Sequence, residues 1–190
     1  QKIILDIKSS QTAMKLIQNQ GGLVEICQTG HSLIKTKLNK ISAPLAGEMS
    51  GHIFFNDVWF GFDDAIYAAL RCLKEIKLRN GGLSNFLNSI PKSFASPEIR
   101  IECNDSEKLE VIDKIKTFAL NDYDHSKLLF IDGIRASLEN GWWLIRSSNT
   151  QAALIARAEG VREEDLNNYL ATVKKYLNRA GICINLKNHK

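Results

Sequence analysis

Three features of the 190-residue sequence predict an α/β domain followed by an α+β domain of antiparallel sheet and two helices. Up to Ile90, apolar strand-like runs alternate with amphipathic helix-like runs, the pattern of a largely parallel sheet covered by its crossover helices. Pro91 and Pro97 then bracket Lys-Ser-Phe-Ala-Ser, a break in periodicity. Beyond it, Asp132-Gly133 and Asn140-Gly141 give strong hairpin signals between apolar runs. The domains are therefore expected at 1–92 and 97–190.

In the first domain, Ile3 to Ile7 reads as a buried strand that starts almost at residue 1, as though the beginning were cut. Ser9 or Ser10 caps a helix carrying Ala13, Met14 and Ile17, which Gly21-Gly22 stops. Leu23 to Cys27 is a second strand. His31 to Lys40 is a short helix with Leu33, Ile34 and Leu38 expected inward. Leu45-Ala46 and Ile53 to Phe55 are apolar segments flanking a polar loop. Phe62, Ile66, Leu70, Leu73 and Ile76 then recur at helical spacing, with Asp63-Asp64 at the positive end as caps.

In the second domain, Ile99, Ile101 and Cys103 alternate as in a half-buried strand, and Leu109, Ile112, Ile115 and Phe118 mark a helix. Strands are expected over Leu128 to Ile131, Ile134 to Leu138, Trp142 to Arg146 and Ala152 to Glu159. Leu166, Leu170, Val173 and Leu177 form a last helix that stops at Gly181. Neighbouring residues of a strand point to opposite faces, so at most one of Trp142 and Trp143 is exposed.

Composition excludes several function classes. With 44% hydrophobic and 24% charged residues, the sequence is that of an ordinary folded protein rather than a disordered one. A net charge of +4, with basic residues scattered among acids, is too mild for a nucleic-acid partner. No apolar run reaches membrane-spanning length and no signal peptide opens the sequence, so no membrane partner and a cytoplasmic location are expected. Cys27, Cys72, Cys103 and Cys183 are far apart and lack metal-type spacing, which reads as buried, reduced thiols.

Two loops carry chemistry. Gly47-Glu48-Met49-Ser50-Gly51-His52 places a carboxylate, a hydroxyl and an imidazole between glycines, a set suited to sugar hydroxyls. Arg146-Ser147-Ser148-Asn149-Thr150 lies between two expected strands. Its guanidinium fork matches two phosphate oxygens, and its hydroxyls and backbone N–H groups can cradle an anion. Alone, each also reads as a solvated turn. Thr29-Gly30-His31-Ser32, where a strand hands over to a helix, is either an anion-binding helix start or a plain cap. Lys8, past the first strand, is either a solvated charge or a group on the ligand side of the sheet.

In order, Asp6-Ile7-Lys8, Thr29 to Lys35, Gly47 to His52, Gly61-Phe62-Asp63-Asp64 and Arg146 to Thr150 resemble the α-D-phosphohexomutases over essentially the whole chain. The resemblance implies the third, sugar-recognising α/β domain and the fourth, phosphate-binding domain of TATA-binding-protein-like fold, from a family of four. It also implies reversible interconversion of mannose or glucose 1- and 6-phosphates through a bisphosphate, with a phosphoserine in the first domain and magnesium bound by the second. Neither that serine loop nor an Asp-Gly-Asp-Gly-Asp run stands here, so no nucleophile and no metal ligand is expected among these residues, and the rest of the same enzyme is the expected partner. By position, Glu48 and Ser50, with Met49 and Gly51 in the same loop, face the sugar's 3- and 4-hydroxyls. The resemblance also implies that Lys8, His31 and His52 lie near the transferring phosphate and that Arg146, Ser147, Ser148, Asn149 and Thr150 hold the other phosphate. Ala152 stands where relatives often have proline. Rival assignments are a phosphoglucosamine mutase, which usually has Gln at Met49 and glycine at Asn149, and a non-catalytic phosphosugar-binding protein.

Overall fold

The computed structural model describes residues 1–79 and 82–184. Strand β1 (Lys2–Asp6) runs parallel to β2 (Leu23–Cys27) and to β3 (Leu45–Gly47), and β3 turns back antiparallel into β4 (Ile53–Phe55), giving the order β2-β1-β3-β4. Helices α1 (Gln11–Asn19) and α2 (His31–Ile41) make the crossovers. Ile4, Cys27, Ile34, Leu38, Ala43, Ala46 and Phe54 form the core between them. Because β1, β2 and β3 are parallel, their carboxyl ends share one edge. The segments after Asp6, Cys27 and Gly47 therefore emerge together there, as ligand loops of open α/β sheets do.

Helices α3 (Ala65–Leu78) and α4 (Gly82–Ser89) complete this unit, Gln1–Lys92. The second unit, Ser93–Lys190, is built on antiparallel strands in the order β5-β10-β9-β8-β7, with β6 also pairing β10. These are β5 (Phe94–Ala95), β6 (Ile99–Glu102), β7 (Leu128–Leu129), β8 (Gly133–Leu138), β9 (Gly141–Ser147) and β10 (Ala153–Gly160). Helices α5 (Asp105–Asp122) and α6 (Glu163–Arg179) bury Ile112, Ile115, Ala119, Val173 and Leu177 with Ile134, Ile145 and Leu154 of the sheet. Trp143 joins this core, edge-on to Tyr176 at 5.3 Å between ring centroids, and the Tyr176 hydroxyl donates to Asp122 Oδ2 at 2.8 Å. Trp142 lies on the other face, 4.0 Å from the Arg135 guanidinium carbon, and both tryptophans are fully buried.

Several expectations need correction. Leu33 and Leu109 point outward, being 42% and 69% exposed, while Val111 takes the inward place on α5. Ile66, Leu70 and Leu73 of α3 form an exposed stripe, and the half-buried side of that helix carries Tyr67, Arg71 and Ile76. Periodicity identifies an apolar face without saying what lies opposite it. Cys72 and Cys183 are exposed rather than buried. Helix α4 and strand β5 are not among the expected elements, although Leu83, Phe86 and Leu87 have helical spacing. Strand β7 stops at Leu129, short of the expected Ile131.

Candidate functional site

Asp6 ends β1 with no solvent exposure. Its Oδ1 accepts from the Ser9 hydroxyl at 2.5 Å and from the Met49 N–H at 3.2 Å, and its Oδ2 accepts from the Thr29 hydroxyl at 3.2 Å. One carboxylate thus ties together the loops that follow β1, β2 and β3. Ser10 is the cap of α1, accepting from the Thr12 N–H at 3.1 Å. Helix α2 starts at Gly30 without any side-chain cap, and Thr29 is turned to Asp6 instead of capping.

The loop between β3 and β4 is a five-residue hairpin closed by two backbone bonds. Glu48 N–H donates to His52 C=O at 2.8 Å, and Gly51 N–H donates to Glu48 C=O at 3.0 Å. Gly51 has φ of 95°, a left-handed conformation that favours glycine. Ser50 is exposed and its hydroxyl reaches Glu48 Oε2 at 3.5 Å, while Glu48 Oε1 is buried and has no hydrogen-bond partner. Burial, with the neighbouring Asp6 carboxylate, pushes Glu48 above the ordinary carboxylate range, against the pull of His52, Lys8 and the Gly30 backbone. Met49 contributes its N–H to Asp6, and its side chain is partly exposed.

Lys8 is almost completely buried rather than solvated. The exposed His31 and His52 rings stack with centroids 6.2 Å apart and 24° between planes. His52 Nδ1 lies 2.7 Å from Asp63 Oδ2. The Asp63-Asp64 pair, read as capping from the sequence, splits: Asp64 caps α3 by accepting from the Tyr67 N–H at 2.9 Å, while Asp63 holds His52. The structure therefore brings Lys8, His31, Glu48, Met49, Ser50, Gly51 and His52 to one edge of the first unit, joined by Asp6 and Asp63.

In the second unit, Arg146 and Ser147 belong to β9, so the connection spans residues 148 to 152. Arg146 is buried, and one edge of its guanidinium is already engaged. Nε donates to Asp132 Oδ2 at 2.7 Å, and one terminal nitrogen lies 2.6 Å from the same oxygen. The arginine is held in place by a carboxylate instead of offering an open two-nitrogen fork. Ser148 N–H donates to Ala153 C=O at 2.9 Å, and Asn149 and Thr150 are exposed at the tip. Lys108 of α5 reaches under the loop and donates to the carbonyls of Ser148 at 3.0 Å and Gln151 at 3.1 Å.

Family models match both units. Residues 1–94 match phosphoglucomutase/phosphomannomutase alpha/beta/alpha domain III, and residues 98–175 match the phosphoglucomutase/phosphomannomutase C-terminal domain. The chain belongs to the phosphoglucomutase/phosphomannomutase family. It is 39% identical over 165 residues to a phosphomannomutase/phosphoglucomutase of Pseudomonas putida, covering 87% of this chain and 35% of that protein. It is 40% identical over 159 residues to a phosphoglucomutase of Neisseria meningitidis, covering 83% and 34%. Among solved structures, a phosphoglucomutase/phosphomannomutase family protein of Burkholderia thailandensis superposes with a TM-score of 0.85 at 35% identity, covering 95% of this chain and 38% of that one. The chain spans about a third of the length of the relatives it matches.

For this member of the phosphoglucomutase/phosphomannomutase family, Asp6, Asp63, Lys108 and Asp132 are the residues missed by sequence reasoning. Asp6 and Asp63 stand inside the segments that carry the resemblance, and the sequence marks Asp132 only as a turn residue. Lys108 gave no signal, because its contact with the 148–152 loop is made across 40 residues of chain.

Proposed function

We propose that this chain is the sugar- and phosphate-recognising part of a cytoplasmic phosphomannomutase/phosphoglucomutase that interconverts hexose 1-phosphate and 6-phosphate through a bisphosphate. The observation that carries this reading is the buried, unpartnered Glu48 Oε1 in a hairpin whose backbone is otherwise tied down. A carboxylate accepts only, so it calls for donors, and adjacent sugar hydroxyls supply two. The exposed Ser50 hydroxyl beside it can add a third contact. Glu48 and Ser50 then hold the 3- and 4-hydroxyls, which keep their relationship when the bisphosphate turns around, so glucose and mannose both fit.

Lys8 supplies positive charge near the transferring phosphate, and His52, with His31 stacked on it, takes or gives the hydroxyl proton. Arg146 and the residues of the 148–152 loop hold the phosphate that is not reacting. The nucleophile is a phosphoserine contributed by the rest of the same enzyme. The residues present do not fit a magnesium site: among the described residues no three His, Cys, Asp or Glu side chains gather around a common point, and Asp63 and Asp64 are engaged elsewhere. The ion belongs with the other domains.

Arg146→Lys tests the phosphate assignment. An ammonium can pair with Asp132 or with a phosphate but offers no planar fork to do both. Affinity for glucose 6-phosphate, measured by calorimetry, should fall by roughly tenfold or more, the loss of a charge-assisted hydrogen bond. Unchanged affinity refutes the assignment.

A further inference from the structure

We infer that Asp63 is a positioning residue: it holds His52 as the Nδ1–H tautomer, so that Nε2 is the nitrogen that takes up a substrate hydroxyl proton. This rests on the proposed proton-transfer role of His52 and specifies how that residue is prepared for it.

The contact is short, 2.7 Å between His52 Nδ1 and Asp63 Oδ2. Asp63 is delivered by a fixed backbone rather than a loose loop. It bridges antiparallel to Phe54 beside β4, the Gly61 N–H donates to Phe55 C=O at 2.8 Å, and the next residue caps α3. Burial is the largest single influence and raises the Asp63 carboxyl, but the hydrogen bond with His52, a bond from its own backbone N–H and the charges of His52 and His31 together hold the group below the usual carboxylate range. The ionised carboxylate has no proton to give. Nδ1 of a neutral His52 must therefore carry the hydrogen, which leaves the lone pair on Nε2.

Other charged groups surround this pair. His31 stacks on the His52 ring from the start of α2, and Glu48 is coupled through charge to His52 itself, to Lys8 and to Asp6. The contact that engages His52 Nδ1 is the one with Asp63, and it fixes the ring's orientation. Proton uptake at Nε2 creates an imidazolium next to the Asp63 carboxylate, which stabilises the charge as it forms.

The test is the tautomer itself, read from imidazole nitrogen chemical shifts of the histidine-labelled chain at about pH 9, above the ordinary imidazole range. A pyrrole-type Nδ1 and a pyridine-type Nε2 at His52 are expected. The reverse pattern overturns the inference without any variant being made. In Asp63→Ala, with the α3 amide signals confirming that the helix is intact, the ring should lose its preference for Nδ1–H; an unmoved tautomer also overturns it. Should that variant not fold, Asp63→Asn keeps the side chain's size. Its amide still accepts weakly, so a partial loss of the Nδ1–H form is expected there, and an unchanged pattern counts against Asp63. None of these readouts depends on phosphosugar turnover. Loss of the functional reading would appear instead as absent ligand shifts at residues 47–52 with the tautomer intact.

Discussion

At the residue scale, two carboxylates at the end of one sheet have opposite tasks. Asp6 is fully buried and accepts from Ser9, Thr29 and Met49, so it organises the loops around it. Glu48 is under-satisfied, and folding raises its ionisation range. A carboxyl raised in this way prefers the protonated form in the folded chain, so keeping it ionised at neutral pH costs stability. That cost fades as pH falls through its folded range and vanishes below the unfolded carboxylate range, where both states are protonated. Glu48→Gln should therefore raise the melting temperature at pH 7 and weaken sugar binding, the trade expected of a site strained for function. The gain should be absent at about pH 3, below the carboxylate range. Calorimetric melting at the two values checks this, and a less stable variant at pH 7 contradicts it. The glycine-bracketed loop was legible because its residue types announce the chemistry. Asp63 was not, because two adjacent aspartates before a helix look alike until the fold shows that one faces the helix N–H groups and the other a histidine 11 residues away.

At the element scale, the 148–152 loop and the Arg146 before it depend on the approach of the β7–β8 turn to β9. Gly133 has φ of 146°, and a Cβ there would sit 2.3 Å from the Ile145 carbonyl oxygen and 2.5 Å from the Arg146 Cα. This close approach lets Asp132, itself at φ of 62°, pair with Arg146. Gly133→Ala should cost on the order of 3 kcal/mol or more, combining backbone strain with a clash against main chain. Gly51→Ala is the matched control. Its φ is also positive, but nothing stands within 4 Å, so the cost should be about 1–2 kcal/mol. Urea unfolding of both variants decides, and equal costs contradict the proposed packing. Elements with local signals were readable in advance: β2 at Leu23–Cys27 and the α2 start at His31 follow directly from apolar runs and punctuation. The α3 stripe was misplaced, since helical spacing carries no information about which neighbour the apolar side meets. The Lys108 support of the 148–152 loop depends on tertiary folding and leaves no local trace.

At the scale of the whole molecule, the role proposed for the chain is recognition, with the phosphoryl-carrying group contributed by the rest of the enzyme. It contains no Asp-Gly-Asp-Gly-Asp run, and among the described residues no cluster suited to a metal ion. Positioning groups cannot replace the group that carries the phosphoryl. The 190 residues alone should show no mutase turnover with magnesium and a bisphosphate primer, and activity that follows the protein through purification contradicts this. The central claim is that sugar is read by the 47–52 hairpin and phosphate by residues 146 to 150. Amide shifts of the isotope-labelled chain, titrated in parallel with glucose 6-phosphate, glucose and inorganic phosphate, test it most directly. Glucose 6-phosphate should move signals in both segments. Glucose should move only signals of residues 47–52, and inorganic phosphate should move those of residues 146 to 150. Silence of both segments at saturating glucose 6-phosphate, or phosphate shifts confined to other residues, would contradict the account.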